Sequence, residues 1–182
     1  MFELHKGDGL EGGDPQNFKK IYNATFNVLF KVVYRIVKNE EVSEDIIHES
    51  YIKMYEKNMN FPSVDDAKYW LLRVAKNGAL NYVKRKERER RAYEKALKED
   101  TRSMDSGETI LLKDESCSKV QEALDKLPEK LRTVLILKEY SDMNYKEIGG
   151  ILGITEGNVK VRVFRAREQL ANIIGKDEIY VP

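Results

Sequence analysis

Apolar positions recur three and four residues apart along most of this chain, the spacing that gives one buried face to an α-helix. Residues 15–39 carry such a stripe in Phe18, Ile21, Tyr22, Thr25, Leu29, Val32, Val33 and Ile36. A second helix is predicted from Ser43, a residue type that caps helix N-termini, with Ile46, Ile47, Tyr51, Met54 and Tyr55 along it. Residues 58–63 contain Pro62 and break the pattern. A third helix is expected from Asp65 or Asp66, burying Ala67, Trp70, Leu71, Val74, Ala75, Gly78 and Tyr82 and continuing into the charged residues 84–91. The apolar period then fades, and residues 91–118 read as a flexible linker. Between residues 92 and 118 seven acids oppose four bases, so the linker is mildly acidic, unlike the segments on either side. The period returns in Val120, Ala123, Leu124 and Leu127, stops at Pro128, and resumes in Leu131, Val134, Leu135 and Leu137. No stretch alternates in the manner of a strand. The expected fold is all-α, with two small helical domains at residues 15–90 and 119–175, a flexible leader at 1–14 and a tail at 176–182.

The strongest local pattern lies in residues 144–167. Asn144 can cap a helix and Glu147 can reach back to it, the reciprocal arrangement of a capping box. Ile148, Ile151 and Leu152 give that helix an apolar face, Gly149 suits a close approach between helices, and Gly153 ends it. Ile154 points to the core and Thr155 caps the next helix, whose buried side is Val159, Val163, Ala166, Leu170 and Ile173 or Ile174. Its other positions include Asn158, Lys160, Arg162, Arg165 and Arg167, with no acid between Glu156 and Glu168. This is a helix-turn-helix with a basic second helix. Such cations meet phosphates, and arginine can bond a guanine edge bidentately.

Composition narrows the possibilities. The 182 residues carry 32 Lys and Arg against 31 Asp and Glu, so charge is segregated along the chain, not globally basic. The single cysteine, Cys117, allows no disulfide framework or paired-cysteine metal site, and His5 and His48 lack partners at ligand spacing. No apolar run reaches membrane-spanning length, and the polar, glycine-rich start has no hydrophobic signal core. These features predict a cytoplasmic protein with no cofactor, no metal and no membrane insertion. Glycine-rich phosphate loops and nucleophile–base sets are absent from the sequence, which argues against an enzyme. A cluster of Glu44, Asp45 and Glu49 reads more simply as acids near a helix start.

A second basic stretch spans residues 73–91, where eight bases outnumber two acids. Arg73, Lys76, Asn77, Leu80, Asn81 and Lys84 fall at helical spacing opposite Trp70, Val74 and Gly78, with Phe61, Tyr69 and Trp70 near one end. Charge beside aromatic rings is what single-stranded nucleic acid uses, because bases stack while the backbone meets cations.

Three ordered segments together resemble bacterial RNA polymerase sigma factors. Residues 43–55 resemble their core-binding segment. Phe61, residues 70–77 and residues 80–85 resemble their promoter-melting segment. Residues 127–132, the helix-turn-helix and Arg165-Ala166-Arg167 resemble their fourth region. The short linker leaves no room for an intermediate domain, so the chain resembles the two-domain, extracytoplasmic-function class. The resemblance implies a partner in core RNA polymerase, through the clamp helices of its largest subunit and its flap region, and a second partner in promoter DNA. An anti-sigma factor is a further partner the family suggests. By motif position, Asp45, His48 and Glu49 would meet polymerase. Phe61, Ser63, Asp65 and Lys68 would form the loop side of a −10 surface, and Arg73, Lys76, Asn77, Asn81 and Lys84 its DNA-facing stripe. Thr155, Gly157, Asn158, Lys160, Val161, Arg162 and Arg165 would read the −35 element. Departures from the family pattern are His48 for glutamine, Asn81 for aspartate, Gly149 for alanine and Asn158 for threonine.

The alternative is a regulator that binds duplex DNA unaided, as a dimer on two half-sites. The linker also bears on the sigma reading. Elements two duplex turns apart lie about 70 Å from each other. A coil of this linker's length averages about 30 Å and stretches to about 100 Å. Promoter engagement therefore needs an extended linker or a wide span from the domains, and the free chain is expected to be more compact.

Overall fold

A computed structural model describes residues 9–99 and 115–175. The first eight residues of the expected leader, the centre of the expected linker at 100–114 and the tail at 176–182 lie outside the described residues. Seven helices are described: α1 Pro15–Val37, α2 Glu40–Glu56, α3 Val64–Glu99, α4 Glu115–Lys126, α5 Glu129–Tyr140, α6 Tyr145–Leu152 and α7 Glu156–Ile174. The all-α expectation holds, with one small addition. Strand β1 (Leu10–Glu11) pairs antiparallel with β2 (Asn60–Phe61), Leu10 opposite Phe61. Two-residue strands are too short to leave a period in the sequence.

Helix α1 begins where Asp14 Oδ1 accepts from the backbone N–H groups of Gln16 and Asn17, with Pro15 at the first helical position. It ends at Lys38 in the left-handed conformation. Helix α2 starts earlier than predicted. Asn39, not Ser43, is its N-cap, accepting from the Val42 N–H at 2.8 Å. Ser43 lies one turn inside, buried, its hydroxyl donating to the Asn39 carbonyl at 2.6 Å. Glu40 and Glu41 then occupy the first turn, where the helix dipole favours acids.

Helix α3 runs for 36 residues, through the charge-rich segment and into the stretch expected to be linker. Its exposed second half is laced by ion pairs three and four residues apart: Arg85 with Glu89, Glu87 with Arg90 and Arg91, and Arg90 with Glu94. Such pairs each add only about 0.2–0.5 kcal/mol, but they replace the apolar face that this half lacks.

The core between α1, α2 and α3 contains Ile21, Leu29, Val33, Ile47, Met54, Leu71, Leu72 and Ala75. Thr25 and Tyr51 are buried within it, their hydroxyls 2.6 Å apart, and Thr25 Oγ1 also donates to the Ile21 carbonyl. Burial raises the Tyr51 phenol to about 12. In the unfolded chain it would ionise near 10. Between pH 10 and 12 the unfolded state therefore holds fewer protons, and stability falls as pH rises. Tyr51→Phe should lose roughly 1 kcal/mol at pH 7, one hydrogen bond. It should also flatten the wild type's extra alkaline loss, roughly 2–3 kcal/mol by pH 12. Urea titrations of both proteins across that range check this.

Helices α4–α7 form the second unit. Leu124, Leu127, Leu135 and Ala166 make one cluster. Val134, Ile136, Leu137, Met143, Ile148, Ile151, Val159 and Val163 belong to the same continuous core as the first unit. The two units thus pack against each other, α1 on α5 and α3 on α6.

Candidate nucleic-acid and partner interfaces

The helix-turn-helix is built as its residues require. The Asn144 N–H donates to Glu147 Oε2 at 2.8 Å, and the Glu147 N–H to Asn144 Oδ1 at 2.9 Å, completing the capping box on α6. Gly153 adopts φ 69°, the left-handed conformation that favours glycine. Gly149 is needed for a different reason: a Cβ there would stand 2.7 Å from the Ile154 carbonyl oxygen in the turn. Gly149→Ala should therefore destabilise the unit by about 1–3 kcal/mol through overpacking. A midpoint in urea equal to the wild type's would refute that. Thr155 caps α7, accepting from the Asn158 N–H at 3.3 Å.

Helix α7 buries Val159, Val163 and Ala166. Thr155, Gly157, Asn158, Lys160, Val161 and Arg165 are exposed, and Arg162 is half-buried. Its cations differ in availability. Lys160 is 2.7 Å from Glu156, which raises its affinity for a proton, and lies over the Tyr145 ring. Arg167 is held by Glu139 at 2.7 Å. Among the described residues, Arg162 and Arg165 make no ion pair. Two apolar side chains share the outer surface, Val161 at 46% and Phe164 at 69% exposure. Phe164 falls between Val161 and Glu168 on the helical wheel, outside the buried stripe.

On α3, the stripe is only partly assembled as predicted. Arg73, Asn77, Asn81 and Lys84 are exposed along one side. Lys76 departs from it. It is 7% exposed, turned towards α6, and its Nζ donates to the Ile151 carbonyl at 3.3 Å. Burial, then the neighbouring charges of Arg73 and Lys84, lower its proton affinity. Phe61 also departs from its expected place on an accessible loop. It is buried with its ring 6.0 Å from that of Trp70, because the β1 pairing fixes its backbone. Ser63, Asp65 and Lys68 cluster at the start of α3. Ser63 Oγ accepts from the Asp66 N–H and donates to the Asp66 carboxylate, and Lys68 pairs with Asp65 at 3.0 Å.

The third set lies on α2. Asp45, His48 and Glu49 are all exposed, with Ile52 and Tyr55 exposed further along the helix. Glu49 pairs with Lys53 at 2.9 Å. The His48 ring stacks on Phe26, one of five rings (Phe18, Tyr22, Phe26, Phe30 and Tyr34) spaced four residues apart along α1. That ladder was only partly read from the sequence, since Phe26, Phe30 and Tyr34 lie off the stripe there.

Comparison with known proteins places these surfaces in context. A family model described as Sigma-70 region 2 matches residues 21–89, and one described as Sigma-70, region 4 matches residues 117–170. The ECF RNA polymerase sigma-E factor of Haemophilus influenzae is 34% identical over 139 residues, covering 71% of this chain and 73% of that protein. The RNA polymerase sigma-H factor of Pseudomonas aeruginosa is 33% identical over 138 residues, covering 70% of each. Among solved structures, the sigma factor RpoE, in complex with the anti-sigma factor NepR from Bartonella quintana, superposes with a TM-score of 0.67. It is 20% identical and covers 90% of this chain and 99% of that one. CnrH, in complex with the cytosolic domain of CnrY, gives 0.65 at 21% identity, covering 91% and 92%. At those identities the structural likeness speaks for the fold alone.

Proposed function

The chain belongs to the ECF class of sigma-70 RNA polymerase sigma factors, and from that premise we propose how its surfaces divide the work. It is a sigma factor: it binds core RNA polymerase and promoter DNA and directs transcription initiation. The observation that carries the division is the pair of separate cationic surfaces, the outer face of α7 and the stripe along α3, on two units that each match a different sigma region.

We assign the −35 element to α7. Arg162 and Arg165, without an ion pair among the described residues, offer their guanidinium groups to guanine edges or phosphates, Asn158 suits an adenine edge, and Val161 can pack on a thymine methyl. Thr155 and Gly157 lie at the helix N-terminus, where backbone N–H groups meet phosphate. Lys160 contributes positive charge from beside Glu156. The −10 element goes to α3. Arg73, Asn77, Asn81 and Lys84 follow the strand, with Lys76 joining once it is uncovered. Phe61 holds Trp70 and the loop in place, and Ser63, Asp65 and Lys68 order the start of the helix.

Polymerase docking goes to Asp45, His48 and Glu49 on α2, an acidic and partly apolar face suited to a basic helical partner. An anti-sigma factor, such as the one in complex with RpoE of Bartonella quintana, would compete for such surfaces. The described residues contain no helix long and apolar enough to cross a membrane. We place the protein's action in the cytoplasm, with polymerase and DNA, and assign it no bond chemistry of its own. Gel shifts on promoter duplex separate this reading from an unaided dimeric regulator. Specific retention should require core polymerase, and specific retention by the isolated chain would favour the regulator.

A further inference from the structure

Residues 9–13 belong to the expected flexible leader, yet the structure seats them against the loop between α2 and α3. Leu10 and Glu11 pair with Phe61 and Asn60. The Gly12 N–H donates to the Met59 carbonyl at 2.7 Å, and the Gly13 N–H to Asn58 Oδ1 at 3.1 Å. Two glycines allow this close approach. A Cβ on Gly12 would stand 2.9 Å from Met54 Cγ and 3.1 Å from the Met59 carbonyl oxygen, and one on Gly13 would stand 2.5 Å from Asn58 Oδ1. Asn58 itself sits at φ 42°, a left-handed conformation that asparagine tolerates better than most residues. Leu10 packs on the edge of the core. Asp14, next along, donates its N–H to the Glu11 carbonyl at 3.1 Å and caps α1. The segment is thus anchored at α1 and laid along the loop.

We propose that residues 9–13 are a brace for this loop: they position its side chains for the −10 element, and base discrimination there depends on them. The proposal rests on the reading of the loop and α3 as the −10 surface. Without the brace, the loop is tied on one side only. The Met59 N–H donates to the Met54 carbonyl at 3.2 Å and the Asn58 N–H to the Tyr55 carbonyl at 2.9 Å, both reaching back to α2. Pairing with β1 ties the other side and sets which side chains face outward, because successive residues of a strand point to opposite faces. Phe61 turns inward against Trp70, while Asn60, opposite Glu11, stays exposed. From Phe61 the chain needs only Pro62 to reach Ser63. The Ser63 carbonyl accepts from the Ala67 N–H and its hydroxyl from the Asp66 N–H, both at 3.2 Å. The position fixed at Phe61 is therefore passed to the exposed Ser63 and Asp65 at the start of α3. Groups that read a base must be held within about 0.5 Å, and a short ladder of backbone bonds does this without touching DNA. Gly12 and Gly13 act here as positioning residues.

Two variants release the brace in different ways. One lacks residues 1–13 and keeps the Asp14 cap. The other, Gly12→Pro, keeps the length but removes the N–H that bonds Met59. A third, Ser63→Ala with Asp65→Ala, alters the loop itself. Each is assembled with core polymerase, and the co-eluting complex is titrated with a promoter that the wild type uses and with its single-base variants in the −10 and −35 elements. The wild type should discriminate by about tenfold at the most sensitive −10 position. Both brace variants should lose several-fold of that discrimination and keep the wild type's −35 preference. An unchanged −10 preference in the brace variants, with a loss in the Ser63 and Asp65 variant, would overturn the brace and leave the reading of the loop standing. An unchanged preference in all three would overturn that reading and the brace with it. Failure of both brace variants to assemble, or an equal loss at both elements, would mark a general structural role and equally overturn the proposal.

Discussion

Asp45→Arg should abolish assembly with core polymerase while leaving the chain folded. Asp45 is exposed on α2 and, among the described residues, makes no ion pair, so its replacement removes no internal contact. Surface changes of that kind seldom move stability by more than about 0.5 kcal/mol. At an interface the outcome differs. Losing a close charge pair and inserting a like charge costs about 2–5 kcal/mol, an affinity loss of roughly thirty- to several-thousand-fold. The circular dichroism melt should match the wild type's, and size-exclusion chromatography with core polymerase should show no co-elution. Glu49→Arg should be milder, because Glu49 is already engaged by Lys53. Normal co-elution of Asp45→Arg would remove α2 from the docking surface.

The second large effect is expected at Arg165. Arg165→Ala should weaken promoter-specific binding by the holoenzyme by about 1–3 kcal/mol if a bidentate guanine contact is lost. It should also relax preference at one −35 position. Arg167→Ala supplies the internal contrast. Its guanidinium is held by Glu139 across the unit, and that pairing raises its hold on a proton. It should therefore leave sequence preference unchanged. Binding measured across single-base variants of a −35 duplex distinguishes the two, and a reversed outcome would mean that α7 presents another face to the groove.

The availability of these arginines could not be read from the sequence, which treats Lys160, Arg162, Arg165 and Arg167 as equivalent cations. What separates them is three-dimensional: Glu139 on α5 reaches Arg167, Glu156 on α7 reaches Lys160, and no acid among the described residues pairs with Arg165. Local features were far more legible. The capping box at Asn144 and Glu147, the glycine stop at Gly153 and the Thr155 cap depend only on residues a turn apart, and all three occur. The start of α2 was misjudged because Asn39 and Ser43 are both capping types one turn apart, and periodicity cannot choose between them. The far end of α3 was underestimated because ion pairs, not an apolar stripe, sustain it. Phe61 and Lys76 were displaced from their expected settings by partners remote in the chain, Leu10 on one side and Ile151 on the other. Such contacts leave no local signal, and they are also where the structure adds most to the account.

The central claim is that two linked helical units bring a polymerase to promoters, and transcription in vitro tests it most directly. Purified core polymerase is supplied with fragmented genomic DNA, with and without the full chain, and the 5′ ends of the transcripts are mapped. The account predicts a set of start sites that appear only when the chain is present, share two upstream elements about two duplex turns apart, and vanish with Asp45→Arg. Identical start sites in the presence and absence of the chain would contradict it.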